Sequence, residues 1–351
     1  MLVTPARDEA AGIVETMESV IGQSLHPVRW VIVDDGSIDD TSALVNRRIA
    51  GVDWITLVRR DSAAQPADFV SKVHAVRAGV RALAGIGYDF IGTLDADISL
   101  ELDYFQRLFR AFEERPSLGI AGGHVIEAYD GRLVPQRVSA NSVAGGVQMF
   151  RRQAFEDVGG LRPMRLGGED SVAEILARMR GWQVATLFEL QVRHRGRALS
   201  GSARPTRAWF ARGLVNRSLG YAPLFQLSVS AYRAAVQPPY LISGLAMLAG
   251  YAWAALRREA RALDPDTVAF LRAEQPWTAC SPRTSCHRPP GMQSWIAGPS
   301  PRGTWPPMAT SWPRFSAWRF ARRCPMSCCS PRTSSACGTP WNCGCRTSTT
   351  R

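Results

Sequence analysis

The sequence predicts an α/β fold built on a mostly parallel sheet flanked by helices, and three observations predict it. Short apolar runs at residues 2–6, 30–33, 54–58 and 88–94 have the unbroken hydrophobicity of strands buried on both faces. Segments of helical period separate them. Three of the runs end in polar residues, at 4–9, 34–37 and 95–97, which a parallel sheet gathers at the carboxyl ends of its strands, where its ligands sit.

The elements follow in order. After Pro5 and Arg7-Asp8-Glu9, the residues Ile13, Met17, Val20 and Ile21 recur at helical spacing. The run 30–33 ends in Asp34-Asp35-Gly36-Ser37, and a helix over 39–48 follows, where Asp39-Asp40-Thr41 can cap. A strand over 54–58 precedes a helix over 72–83 that carries Val73, Val76 and Val80 on one side. The strand 88–94 runs into Asp95-Ala96-Asp97. The second half reads as helix 101–114, strands 118–127 and 143–150, helices 153–158 and 169–180, and strand 182–194. Residues 204–272 read as helical and partly apolar.

Composition divides the chain. All eight cysteines and ten of the 41 arginines lie in 276–351, a segment without Asp, Glu, Lys, Leu, Val or Tyr that holds 12 of the 23 prolines and six of the 11 tryptophans. Such a segment has no periodic apolar face, and its richness in Trp and Cys is unlike ordinary disorder. It is expected to be an out-of-frame translation of GC-rich DNA, with a cysteine metal module and a sticky basic tail as the weaker readings. Without it the formal charge of +12 shrinks to 32 basic against 30 acidic residues, so no specific nucleic-acid partner is expected. A cysteine-free body and an N-terminus without signal-peptide order point to the cytoplasm. Residues 240–256 are uncharged and apolar or small, and Pro238-Pro239 precede them. That length suits an interfacial helix over 238–257, peripheral to the inner face of the cytoplasmic membrane, better than a span. The expected organisation is a catalytic domain over 1–200, a helical extension over 201–275 and the tail.

Asp95-Ala96-Asp97 follows a buried strand, and in an extended backbone residues two apart point the same way, so two carboxylates can face one Mg²⁺ or Mn²⁺ with a diphosphate completing the shell. A solvated turn explains a bare tripeptide equally well. The combination is more specific. Val3-Thr4-Pro5-Ala6-Arg7-Asp8-Glu9, Val31-Ile32-Val33-Asp34-Asp35-Gly36-Ser37, Leu94-Asp95-Ala96-Asp97 and Gly168-Glu169-Asp170 resemble, in order and spacing, the family-2 glycosyltransferases of the GT-A fold, over about residues 1–275.

The resemblance implies a metal-dependent inverting transferase that moves a sugar from a nucleotide-diphosphate sugar, with UDP the expected nucleotide, to a glycan, envelope-polysaccharide or lipid-linked acceptor. It implies that Pro5, Arg7, Glu9, Asp34, Asp35, Lys72, Asp95 and Ala96 hold the donor. Asp95, Asp97 and His194 would hold Mn²⁺ or Mg²⁺. Asp170 would be the general base with Glu169 beside it, and Gly145-Gly146 would flank the acceptor. Arg59 and Arg60 precede a loop, 61–71, that could close over the diphosphate. Ser71 stands where the family's glycine precedes the lysine, and the Q-x-x-R-W pattern of processive members is missing around Trp182, so a non-processive enzyme is expected. The alternatives are a scaffold of the same fold without turnover and a nucleotidyltransferase, although the G-x-G-T-R type phosphate loop of the latter is missing.

Overall fold

The computed structural model describes residues 1–62, 68–129, 132–195 and 205–275. The chain divides into two units, Met1–Cys286 and His287–Arg351. The segment 276–351, with its cysteines, lies outside the described residues, as does 63–67 within the loop expected over a diphosphate.

The first half alternates strictly: β1 (Leu2–Ala6), α1 (Ile13–Ile21), β2 (Trp30–Asp34), α2 (Thr41–Ile49), β3 (Ile55–Arg59), α3 (Phe69–Ala82) and β4 (Phe90–Leu94). Then come β5 (Ile98–Leu100), α4 (Tyr104–Glu114), β6 (Leu118–Tyr129), β7 (Arg132–Pro135), β8 (Val147–Arg151), α5 (Arg152–Val158), α6 (Glu169–Met179) and β9 (Gln183–His194). Four helices follow: α7 (Pro205–Leu219), α8 (Pro223–Val236), α9 (Ile242–Leu256) and α10 (Pro265–Glu274).

Among the described residues one sheet runs β3-β2-β1-β4-β8-β6-β9-β5, with β7 paired to β6. The pairs β3-β2, β2-β1, β1-β4 and β6-β9 are parallel, while β8 runs antiparallel to both β4 and β6. The unbroken apolar runs follow from helices on both faces: Leu2, Trp30 and Ile32 join one core with Ile13, Met17 and Phe112, whereas Val3, Val31 and Val33 join the other with Val73, Val76 and Val172. Successive strand residues therefore bury into opposite layers.

Two strands escaped the sequence reading. Ile98–Leu100 is too short to show a period and is a strand because it pairs with the end of β9, Ile98 opposite His194. Arg132–Pro135 folds back on β6 as an edge hairpin. The expected strand at 143 begins only at Val147, and the preceding residues form a loop whose role appears at the site.

The last helix ties the extension to the body. Arg178 of α6 donates to Glu274 at 2.9 Å, and the Ala222 N–H donates to the Gln275 side chain at 2.9 Å. Val268 and Leu271 of α10 belong to the core that contains Val172 and Leu176. Removal of residues after Gln275 is therefore expected to leave the melting temperature of the body unchanged and to raise solubility. Removal from Asp264 onward strips two buried aliphatics, each worth about 1.5–3 kcal/mol, and is expected to lower it by several degrees. Thermal melts of the two truncations against the full chain, in reducing buffer, check both outcomes.

Candidate active site

The crevice is built where β1, β2 and β4 end. The loop after β1 is stitched to the loop after β2: the backbone N–H of Asp8 donates to Ser37 Oγ (3.0 Å), that of Glu9 to Thr41 Oγ1 (2.8 Å) and that of Ala10 to Asp39 Oδ2 (3.0 Å), while Asp8 Oδ1 accepts from the Ile38 N–H (2.9 Å). Short polar side chains fit because each can complete a neighbouring backbone group within a turn. Pro5, Arg7 and Glu9 are thereby held half-buried along the wall.

Asp34 and Asp35 lie at the same end, yet both are buried and their oxygens are taken up by the protein. Asp34 accepts from the Ser37 N–H (2.9 Å) and from Ser42, with Arg59 Nε at 3.4 Å. Asp35 is paired with Arg60 and accepts from Ser62 Oγ (2.6 Å) and Ser71 Oγ (2.5 Å). They brace the crevice from behind, tying it to the loops that carry Arg59, Arg60 and α3. Ser71, which stands where the family's lysine is preceded by glycine, has a structural use as a donor to Asp35.

The expected metal trio divides. Residues 96–97 form a turn instead of continuing β4, so the two aspartates take different partners. Lys72 Nζ lies 2.7 Å from Asp95 Oδ1 and 2.9 Å from Oδ2. His194 Nε2 lies 3.1 Å from Asp97 Oδ2. Ala96 is buried, and its carbonyl accepts from Thr16 Oγ1 at 2.7 Å, which fixes the turn. Among the described residues no three His, Cys, Asp or Glu side chains come together as a metal-holding group. Asp97 and His194 do form a two-donor edge, one carboxylate and one imidazole, which suits Mn²⁺ or Mg²⁺ whose remaining ligands come from a diphosphate and water.

The charges here act strongly on one another. Burial works most strongly against ionisation of Asp97, but the His194 hydrogen bond, the His194 charge and Lys72 together outweigh it and hold the carboxyl below its usual range; the same hydrogen bond raises His194. Glu9 is pushed up to about 7, first by burial and then by Asp97, Asp95 and Asp39. Burial opposes the charge on Lys72, yet Asp95, with Glu169 and Asp170 adding, raises its pKa overall.

The far wall comes from α6. Gly167 and Gly168 both have positive φ, 83° and 94°, which lets the chain turn sharply into the helix and places Glu169 and Asp170 in its first turn. There the helix N-terminus favours ionised carboxylates. Glu169 is buried, its Oε2 has no hydrogen-bond partner, and burial with the neighbouring Asp170 raises its pKa. Asp170 is half-buried and accepts from the Ser171 N–H at 2.7 Å. The loop 143–146 separates it from the donor side: a Cβ on Gly145 would come within 2.7 Å of Asp170 Oδ2, and one on Gly146 within 2.8 Å of Asp95 Oδ2. Two glycines are thus required by the approach of two carboxylates from opposite walls.

One important residue escaped the sequence reading. Glu174, one turn after Asp170, is buried, and its Oε1 accepts from the Val143 N–H (2.7 Å) and from Gln148 Nε2 (3.0 Å), so it anchors the glycine loop from below. Its position on the buried face of α6, four residues after the aspartate, is the only signal the sequence holds. Glu127 faces His194 across the β6-β9 register and was also missed. Trp182, by contrast, packs against the core and donates to Asp157 at 2.8 Å, a structural use.

Burial, and then Asp170, pushes Glu174 up to about 7 from the usual 4.5. Between those values the folded state keeps a proton that the unfolded chain has released, so this group's contribution to stability is highest below 4.5 and falls as pH rises to about 7. The loss is on the order of 3 kcal/mol. Glu174→Gln keeps a carbonyl for Val143 and cannot ionise, so its stability is expected to gain on the native protein's between pH 5 and 7 in urea titrations; parallel curves would contradict this. Glu174→Ala leaves the Val143 N–H unpaired and Gln148 Nε2 with only its 3.5 Å bond to the Val143 carbonyl, and is expected to cost about 1–3 kcal/mol for the orphaned N–H.

Residues 1–166 match the family model described as "Glycosyl transferase family 2", a segment just under half of the 351-residue chain. A search of curated proteins finds no match. Among solved structures the chain is similar to a mannosyltransferase, PcManGT from Pyrobaculum calidifontis, in complex with GDP-Man and Mn²⁺, at 17% identity and a TM-score of 0.48 over 77% of each chain. It is similar to residues 1–349 of S. aureus TarS in complex with UDP-GlcNAc, at 15% identity and TM-score 0.45, covering 61% of this chain and 64% of that one. It is also similar to GalNAc-T7 with UDP, GalNAc and Mn²⁺, at 14% identity and TM-score 0.46, covering 62% and 49%. The chain thus spans under two thirds of the latter two. The family match covers β1 to α5 with Asp95 and Asp97 and stops just before Glu169. On that match residues 1–166, built on the mixed α/β sheet that carries the crevice, are similar to glycosyltransferase family 2.

Proposed function

We propose that the protein is an inverting, non-processive glycosyltransferase that takes a sugar from a nucleotide-diphosphate sugar, with UDP as the nucleotide, and passes it to a hydroxyl of a glycan, envelope-polysaccharide or lipid-linked acceptor. The observation that carries the reading is the convergence of Asp95 and Asp170 on the two sides of Gly145-Gly146. One carboxylate belongs to the strand-end wall with Pro5, Arg7, Glu9 and Lys72, and the other to a helix N-terminus across the cleft.

In this reading the donor lies along the first wall. Pro5 and Arg7 flank the base, Glu9 receives a base N–H or ribose hydroxyl, and Asp34 and Asp35 keep the wall in shape. Lys72 is held by Asp95 and directed toward the diphosphate. Asp97 and His194 would hold Mn²⁺ or Mg²⁺, which neutralises charge on the departing diphosphate when bound. The acceptor enters over the glycines, where missing Cβ atoms let a sugar approach the backbone. Asp170 takes its proton as general base, with Glu169, enclosed and raised in pKa by burial, beside it. Attack on the side opposite the leaving group inverts the anomeric centre. Cytoplasmic work at the inner face of the membrane fits the cysteine-free body.

Two outcomes test the reading. Calorimetry is expected to show UDP binding ahead of GDP, strengthened by Mn²⁺ and losing the metal dependence in Asp97→Ala; binding of neither nucleotide by folded protein contradicts it. Asp170→Asn is expected to keep donor affinity and lose about 10²- to 10⁴-fold in turnover, measured as donor hydrolysis. Collapse of donor binding in that variant would make Asp170 a structural residue.

A further inference from the structure

Among the helices after the catalytic sheet, α8 is built with its polarity reversed, and α9 turns large apolar residues outward. On α8 the buried positions are polar: Gln226 and Ser230 are almost wholly enclosed, Asn216 Nδ2 donates to Gln226 Oε1 (2.8 Å), and Gln226 Nε2 donates to Ser230 Oγ (2.9 Å). The outward positions are apolar, with Leu224 67% and Leu227 50% exposed. In α9, Leu245 (65%), Trp253 (46%) and Leu256 (81%) fall on one exposed stripe at helical spacing. Water-facing helices carry the opposite pattern.

How the helices pack agrees with this. α9 lies on α7 and α8, and the contacts are made through backbone: a Cβ on Gly213 would strike the Met247 carbonyl, one on Gly244 the Ser230 carbonyl, and one on Gly250 the Phe210 carbonyl. Close packing through small residues, with polar side chains satisfied inward and aliphatics outward, is what an apolar surrounding selects. Yet no helix among the described residues is long and apolar enough to cross a membrane. From residue 205 to 258 there are six Arg and no Asp or Glu. Arg257 stacks over Trp253 at 4.7 Å from the ring centroid, a pairing of cation and aromatic suited to the headgroup level.

We propose that the exposed face of α8 and α9 is seated in one leaflet of an anionic phospholipid bilayer, with Leu224, Leu227, Leu245 and Leu256 among the acyl chains and Arg257 and Arg258 on the phosphates. The occupant is lipid because the patch joins apolar surface to uncompensated positive charge, and because the helices beneath it keep their polar groups turned inward. This deepens the peripheral membrane location proposed above and does not depend on the transfer chemistry. It also orients the crevice. Val215 and Leu219 of α7 pack on Gly168, directly before Glu169 and Asp170, so the seated layer and the base share one rigid junction.

The test uses the full chain with vesicles of phosphatidylcholine alone and with one third phosphatidylglycerol. Flotation is expected to show at least about tenfold stronger partitioning to the anionic vesicles, and hydrogen–deuterium exchange is expected to slow in 223–258 on binding. Leu245→Glu/Leu256→Glu, both at exposed positions, is expected to lose at least tenfold in partitioning, as is Arg257→Glu/Arg258→Glu. Calorimetric UDP binding in the same samples separates this claim from the donor site. The proposal is overturned by failure to partition, by protection confined to residues outside 223–258, by unchanged partitioning of the leucine variant, or by a dimer that buries this face in place of vesicle binding.

Discussion

A half-buried ion pair between Lys72 and Asp95 is the constraint on which the crevice depends. Asp97 and Asp95 add to burial in raising the pKa of Glu9, and Asp170 and Asp95 do the same for Glu169, so such a group of carboxylates in a partly dry cleft would repel itself open without compensation. Lys72 answers on one side, 2.7 Å from Asp95, and His194 on the other, 3.1 Å from Asp97. Where compensation runs short the protein keeps a proton instead, as at Glu9, raised to about 7. A diphosphate entering such a site needs additional positive charge to come with it, which is the physical reason for a divalent ion in the proposed reaction.

The fold's contribution is to aim these groups. Parallel pairing of β1, β2 and β4 brings three loops to one edge, and antiparallel β8 delivers the glycine loop between Asp95 and Asp170. The loop is held from below by Glu174, which reaches Val143 and Gln148 from the same helix that presents Asp170. One helix therefore sets both the proposed base, Asp170, and the floor on which an acceptor would rest. Val215 and Leu219 of α7 pack on Gly168 at the start of this helix, so the placement of the site and the face proposed to meet a membrane are parts of one packing problem.

Much of this was legible in the sequence because buried parallel strands announce themselves as unbroken apolar runs. The strands at 2–6, 30–34 and 90–94 and the polar residues after them stand close to where the runs put them. What could not be read was the direction of side chains after the strands end. Asp95 and Asp97 are two residues apart, and an extended chain would aim them together; a turn at Ala96-Asp97 gives them separate partners. Asp34 and Asp35 are in the expected turn, but Arg60, Ser62 and Ser71, distant in sequence, hold Asp35, and Ser42 and Arg59 hold Asp34. Glu174 and the three-residue strand Ile98–Leu100 carry no local signature, since each owes its role to a partner brought by the tertiary fold.

The central claim is that the crevice between Lys72 and His194 receives a nucleoside diphosphate together with a divalent ion. A crystal structure of the protein grown with UDP and Mn²⁺, with anomalous data at the manganese edge, tests it most directly. The account predicts one manganese beside Asp97 and His194, the uracil near Arg7 and the diphosphate reaching Lys72. Nucleotide bound in the crevice with no manganese there, or manganese and nucleotide at a different place on the molecule, would contradict it.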